Sequence, residues 1–283
     1  MLRAVSLVAL WACCALGEPA RIVSTSPSIT EILFALGMGP RVVGVSTYCR
    51  YPLEVSALPK IGSYSKPNVE RIAALRPDLV ILHRMQGDAL NRLAALGIRT
   101  ITVEQGSLAH LFMSIRTIGA AVDRREQAEA LILRIESRVR AVASARSRKS
   151  RPSVLVIVAK NRGQLTGLIA AGRGTYLSEL VEAAGGRNAL TETTAALYPR
   201  ISLETVLRLN PDYILDASGM GEQLNDTPEQ RRATLAPWLT RSELAAVRNR
   251  RVLAILSEAL VVPGPRVLDA LDLLAKALED WEN

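Results

Sequence analysis

Residues able to do covalent or metal chemistry are few in this chain. Two His (His83 and His110) and three Cys (Cys13, Cys14 and Cys49) stand among 283 residues. That is too few for a four-ligand zinc site, and three cysteines cannot make a disulfide framework. Neither His has an obvious partner for nucleophilic or acid–base catalysis. No Gly-x-Ser-x-Gly elbow, Walker phosphate loop or Gly-x-Gly-x-x-Gly fingerprint occurs. Gly172-Arg173-Gly174 precedes a helix start at Thr175 but lacks the third glycine and the acidic partner of a dinucleotide site. Gly219-Met220-Gly221 lies in a polar loop. The expectation is no catalytic residue, no resident metal and no catalytic cofactor. Binding chemistry is what remains: six Tyr, three Trp and two Phe, with a net charge of +8 from 35 Lys+Arg and 27 Asp+Glu.

Residues 1–17 read as a secretory signal peptide: Arg3, then an apolar run from Ala4 to Leu16, then Gly17. The run is well short of the ~20 residues that span a bilayer. Cys13 loosely fits a lipoprotein cleavage box, and Trp11 fits that box badly. Export to the periplasm is the expectation, with lipid anchoring as the alternative. Cleavage near Gly17 leaves Cys49 as the one thiol, so the fold must rest on its cores.

The elements that must position the binding residues are written twice. Asn68-Val-Glu70, then Leu75-Arg-Pro77-Asp78 and an apolar run, recurs as Ser202-Leu-Glu204, then Leu209-Asn-Pro211-Asp212. Five identities or like residues share an offset of 134. Each copy reads as a helix cap, a short helix, a Pro-Asp break and a buried strand. Around the copies, strands are expected at Arg21–Ser24, Val42–Val45, Val154–Ala159 and Val252–Ile255. Helices are expected at Ser28–Leu36 and Thr175–Ala184. The fold class is therefore α/β: two Rossmann-like lobes, each a mainly parallel sheet flanked by helices.

Between the copies a helix from a cap at Asp123 to about Ser147 carries Ala128, Leu131, Ile132, Ile135, Val139 and Val142 on one face. At ~1.5 Å per residue it is a rod of about 38 Å, long enough to join two lobes. Residues 121–151 hold nine Lys/Arg and four Asp/Glu, over half of the chain's excess charge. No aromatic accompanies them, so a solvated helix face is favoured over nucleic-acid binding. The expected organisation is signal peptide 1–17, first lobe 18–121, connecting helix 122–150 and second lobe 151–283, with a ligand cleft between the lobes.

The runs Arg21–Glu31, Val43–Pro52 and Pro59–Gly62, followed by the first repeat, resemble one family over nearly all of the mature chain. It is the ABC-transporter substrate-binding proteins with a helical backbone, which carry cobalamin, ferric siderophores or haem. Val43–Pro52, Tyr198–Ser202 and Ser257–Arg266 are most similar to its vitamin B12-binding members. The resemblance implies a transported ligand, cobalamin or a ferric chelate, and a permease dimer with ATPase subunits as partner. Membrane contact would then run through the permease unless the chain is lipidated. It also implies that Glu70 and Glu204 dock onto permease arginines, one from each lobe. Each is equally a first-turn glutamate favoured by the helix dipole.

By the same resemblance the ligand contacts are Pro27, Tyr48, Tyr64, His83, Arg84, Tyr198 and Arg266. Flat rings pack on a macrocycle, and Tyr and His are also ligands for ferric iron. Arg50, Arg84, Arg162 and Arg200 sit in loops expected to face the cleft, where guanidinium groups favour an anionic chelate over cobalamin. Cys49, beside Tyr48, reads as a buried inert thiol ahead of a metal contact. Doubly wound lobes also occur in enzymes, so an exported α/β enzyme is the alternative of a different class.

Overall fold

The computed structural model describes residues 18–146, 150–190, 196–218 and 226–279. The leader, Gly219–Gly221 and the expected helix end at Ser147 lie outside the described residues.

The first lobe opens with β1 (Ile22–Ser24), α1 (Pro27–Ala35) and β2 (Val42–Val45). It continues through α2 (Val69–Ala74), β3 (Leu79–His83), α3 (Gly87–Ala95), β4 (Thr100–Val103) and α4 (Leu108–Ala121). Its four strands are all parallel, in the order β2-β1-β3-β4. Ser26 caps α1 and Pro27 fills its first turn, where a missing N–H costs nothing.

The connector α5 (Arg125–Ala145) is 21 residues, about 32 Å at 1.5 Å per residue. Asp123 does not cap it. Asp123 has φ +56°, Arg124 occupies the cap position, and no side chain accepts a hydrogen bond there. The chain turns sharply out of α4, and the left-handed residue that makes the turn is in no position to cap the next helix. The expected apolar face is observed: Ala128, Leu131, Ile132, Ile135 and Val142 are buried, with Val139 packed beside them.

The second lobe holds β5 (Ser153–Ala159), β6 (Leu168–Ala170), α6 (Tyr176–Ala183), β7 (Arg187–Asn188) and β8 (Arg200–Ile201). It ends with α7 (Leu203–Leu209), β9 (Tyr213–Asp216), α8 (Pro228–Leu239), α9 (Ala245–Arg248), β10 (Val252–Ala254), α10 (Glu258–Val261) and α11 (Val267–Ala277). Strands β10, β9 and β5 run parallel, and β7 pairs parallel to β5, while β6 runs antiparallel to β5 and β8 antiparallel to β6. The second sheet is thus mainly parallel, as expected, with one antiparallel strand, β6, in its path.

The repeat is structural. Asn68 and Ser202 each cap their helix with a side-chain acceptor. Arg76 and Asn210 each end it at positive φ, +47° and +40°, just before the proline. Asp78 Oδ2 then accepts from the N–H groups of Ala20 and Arg21, both at 2.9 Å. Asp212 Oδ2 accepts from Ser153 N and Oγ at 2.8 and 2.7 Å. In each lobe the motif's aspartate therefore ties down the start of the neighbouring central strand.

Each sheet carries helices on both faces. One core runs through both lobes along the connector, from Ile22, Ile29 and Ile115 across Ile132 and Ile135 to Leu177, Leu271 and Leu274. Separate cores lie on the far faces, around Ile61 and Ile72 in the first lobe and around Ile214 and Trp238 in the second. Two layered lobes sharing a helical spine leave the C-terminal strand edges to face a cleft.

Candidate functional site

Parallel strands end on one edge of their sheet, and the residues following them gather there. In the first lobe these are Thr25–Ser28 after β1, Ser46–Pro52 after β2, His83–Gln86 at β3 and Glu104–Ser107 after β4. His83 is 3% exposed. Its Nε2 lies 2.8 Å from Ser26 Oγ, 3.1 Å from Gln105 Nε2 and 3.4 Å from Ser28 Oγ. Burial pushes its pKa down to about 4, against a smaller upward pull from the Val103 backbone, so the ring is neutral at neutral pH.

Tyr64 stands edge-on to that ring, centroids 5.3 Å apart. Its hydroxyl lies 2.8 Å from Met85 Sδ and 3.2 Å from Gln105 Oε1, either of which can accept its one proton, and burial raises its pKa, keeping it a phenol. Gln86 braces the pair: its Oε1 accepts from His83 N and Thr25 Oγ1, and its Nε2 donates to the Tyr64 carbonyl. Tyr48, half exposed, follows β2 on the same edge, and Pro27 begins α1 there.

On the second lobe Tyr198 precedes β8 and is 37% exposed, with its phenol pushed upward by burial. Trp238 does not line the edge. It is fully buried and donates through Nε1 to Asp216 Oδ2 at 2.6 Å. Lys160 joins the same carboxylate at 2.7 Å and also reaches Ser218 Oγ and the Thr234 carbonyl. This buried ion pair closes the C-terminal edge of β5 and β9, and its members were not among the expected site residues.

Several of the expected arginines are paired with carboxylates. Arg84 pairs with Glu104 at 2.7 Å, and Arg50 with Glu258 at 3.4 Å. Arg266 is mostly buried, 2.5 Å from Glu31 and 3.6 Å from Glu258. Arg162 and Arg200 are exposed. Three of the expected cationic contacts are thus compensated by carboxylates, which lowers the positive charge the loops present. A cavity of about 530 Å³ lies at the lobe junction, lined by Glu31, Phe34, Tyr51, Arg134, Arg266 and Asp269 among others. Of the expected ligand residues only Arg266 lines it; Tyr48, Tyr64 and His83 stand at or near the strand ends of the first lobe, and Tyr198 stands just ahead of β8. Cys49 is buried within 3.2 Å of Thr30 Oγ1 and Ser46 Oγ, with its pKa raised by desolvation.

Glu70 and Glu204 both lie in the first turn of their helices, exposed. Helices α2 and α7 lead into β3 and β9, so they start at the cleft-side edge and set one carboxylate on each lobe's rim. The helix backbone and Arg92 hold the Glu70 carboxyl below its usual range, and Arg92 Nη2 reaches it at 2.5 Å. Among the described residues Glu204 has no ion-pair partner within 4.0 Å.

Ser26, Gln86 and Gln105, which bond to the His83–Tyr64 pair, and the buried Glu31 are residues that spacing did not single out. They are ordinary polar types whose placement depends on which strand ends meet. Glu31 stood inside a recognised run, but only its burial marks it.

No group of three or more metal-ligating side chains occurs among the described residues, and none of their helices is long and apolar enough to cross a membrane. Residues 22–259 match the family model described as periplasmic binding protein. The chain is 30% identical over 269 residues to an uncharacterized ABC transporter substrate-binding lipoprotein, YvrC of Bacillus subtilis, covering 92% of this chain and 80% of that one. It is 30% identical over 207 residues to the vitamin B12-binding protein of Salmonella typhimurium, covering 72% and 74%. Among solved structures it superposes on the periplasmic heme-binding protein RhuT of Roseiflexus sp. RS-1 with TM-score 0.77 and 31% identity, covering 92% and 98%. The chain belongs to the periplasmic binding protein family, as a substrate-binding component of the ABC-transporter kind and not an enzyme.

Proposed function

We propose that this protein is exported to the periplasm, takes up cobalamin or another corrinoid in its interlobe cleft, and delivers it to an ABC permease dimer with ATPase subunits. The observation that carries the choice of ligand is the pairing of charge along the first-lobe edge and the lobe junction. His83 is uncharged, Tyr64 stays a phenol, and Arg50, Arg84 and Arg266 are matched by Glu258, Glu104 and Glu31. Cobalamin carries amides and little net charge, so a largely charge-paired, hydrogen-bonding edge with tyrosine faces suits it better than it suits an anionic siderophore.

Haem is the second reading, favoured by one observation: the Tyr64 ring and a neutral His83 stand side by side, an oxygen and a nitrogen donor for iron. Docking falls to Glu70 and Glu204, one carboxylate per lobe for a two-fold partner. No bond is made or broken; capture, shape and release constitute the function. Pro27, Tyr48, Tyr64, His83 and Tyr198 are the proposed ligand contacts. The test is retention: the protein is purified from the periplasm of cells grown with excess cyanocobalamin, and its visible spectrum is recorded. A corrinoid spectrum at one per chain is expected. A haem spectrum selects the second reading, and a protein without visible absorbance contradicts both.

A further inference from the structure

Glu31, from α1, and Arg266, from the turn before α11, form a charge pair across the junction of the lobes. Glu31 is 3% exposed, and its Oε1 accepts from Arg266 Nη2 at 2.5 Å. The Arg266 guanidinium also lies 3.6 Å from Glu258, which in turn meets Arg50 at 3.4 Å, and it covers the Tyr51 ring at 4.3 Å. Arg50, Tyr51 and Glu31 of the first lobe thus interleave with Glu258 and Arg266 of the second. Gly264 makes the approach possible, because a Cβ there would come within 2.9 Å of Glu31 Oε2.

The pair has the character of a clasp and not of saturated packing. Glu31 Oε2 and Arg266 Nε are buried without hydrogen-bond partners, so the hydrogen-bonding capacity of both groups is only partly filled. Desolvation raises the Glu31 pKa despite the guanidinium beside it. Separating two such groups by more than about an ångström or two strands both in a poorly solvated place, which is strongly unfavourable. The adjoining cavity of about 530 Å³ leaves Arg266 and Tyr51 room to move when the lobes do. By contrast Arg138–Asp272, which ties the connector to α11, is an exposed pair that water would replace at small cost.

We propose that these five residues form an interlobe clasp that sets the separation of the lobes. Glu31 and Arg266 are positioning residues for the cleft, not contacts to its ligand. Only the effect on affinity rests on the cleft being the ligand site; the effect on lobe separation stands apart from it.

Nitroxide labels at Ala94→Cys on α3 and Ser242→Cys beyond α8, both exposed, in a Cys49→Ala background of the exported protein, report the separation by pulsed electron spin resonance. One narrow distance population is expected without further substitution. It should broaden toward longer distances in Glu31→Gln and in Glu31→Gln/Arg266→Gln, and stay narrow in Arg138→Ala and Tyr64→Ala. The double variant carries no unpaired buried charge, so it decides the matter where the single does not fold. Apparent affinity for cyanocobalamin or haemin should fall about three-fold or more in the clasp variants, as the competent population shrinks. An unchanged narrow distance in the folded double variant overturns the clasp. Failure of the parent protein to bind either chelate contradicts the proposed function and leaves the distances to decide the clasp.

Discussion

Tyr64 and His83 meet edge to face, with ring centroids 5.3 Å apart and planes inclined at 65°. They come from different connections of the first lobe, a loop ahead of α2 and the end of β3, and Gln86 joins both to Thr25. The contacts thus tie a loop and two strand ends of the first lobe into one hydrogen-bonded cluster.

Tyr64→Ala should weaken chelate binding by ~1 kcal/mol or more, about five- to ten-fold in Kd, if its ring packs on the ligand. Tyr64→Phe should lose less, since the ring stays and only the bonds to Met85 and Gln105 go. Isothermal titration of both variants checks this; an unchanged affinity for the alanine variant removes Tyr64 from the pocket.

His83 makes stability depend on pH. Its folded-state pKa of about 4 lies below the unfolded value near 6.5, so the unfolded chain binds the proton first on acidification. The contribution is complete above pH 6.5 and is lost as pH falls toward 4, by up to about 3 kcal/mol. Glu31, with its pKa raised, acts in the opposite sense, its contribution declining as pH rises through its folded value. Urea unfolding at stepped pH, with His83→Gln beside the parent, isolates the His83 part: the difference between the two should grow with pH between 4 and 6.5. Parallel curves would contradict its buried, neutral state.

Asp78→Ala and Asp212→Ala should each destabilise the fold by about 1–3 kcal/mol, because each removes two bonds to a strand start. Asp212 is the more enclosed, so its loss should be the larger. Chemical denaturation measures both, and an equal or reversed order would mean that the exposed anchor of the first lobe matters more than burial implies.

The two-lobed architecture was legible because it is repeated: a helix cap, a leucine and a Pro-Asp step recur at one offset, and local chemistry dictates each. The apolar face of α5 was legible for the same reason. Asp123 was misread as a cap because sequence does not reveal that the preceding turn needs a left-handed residue. Strands β6 and β8 were missed because a two- or three-residue antiparallel edge carries no periodic signal. The tyrosines and His83 stood out by scarcity in an aromatic-poor chain. The pairing of Arg50, Arg84 and Arg266 was invisible, since each carboxylate partner lies where only tertiary contact places it.

Charge reversal of both Glu70 and Glu204 to Lys should impair association with the permease complex while sparing chelate affinity. The Glu204 reversal alone should do more than Glu70 alone, since Arg92 already occupies part of Glu70. Surface plasmon resonance against nanodisc-held permease measures the association. A loss of chelate affinity in the double variant would refute the docking assignment.

Equilibrium titration of the exported protein with cyanocobalamin, read against haemin and a ferric hydroxamate in one buffer, tests the central claim most directly. The charge-paired edge predicts saturable one-to-one binding with cyanocobalamin the tightest of the three, and weakening in Tyr64→Ala. Tighter binding of the ferric hydroxamate, or no saturable binding of cyanocobalamin, would contradict it.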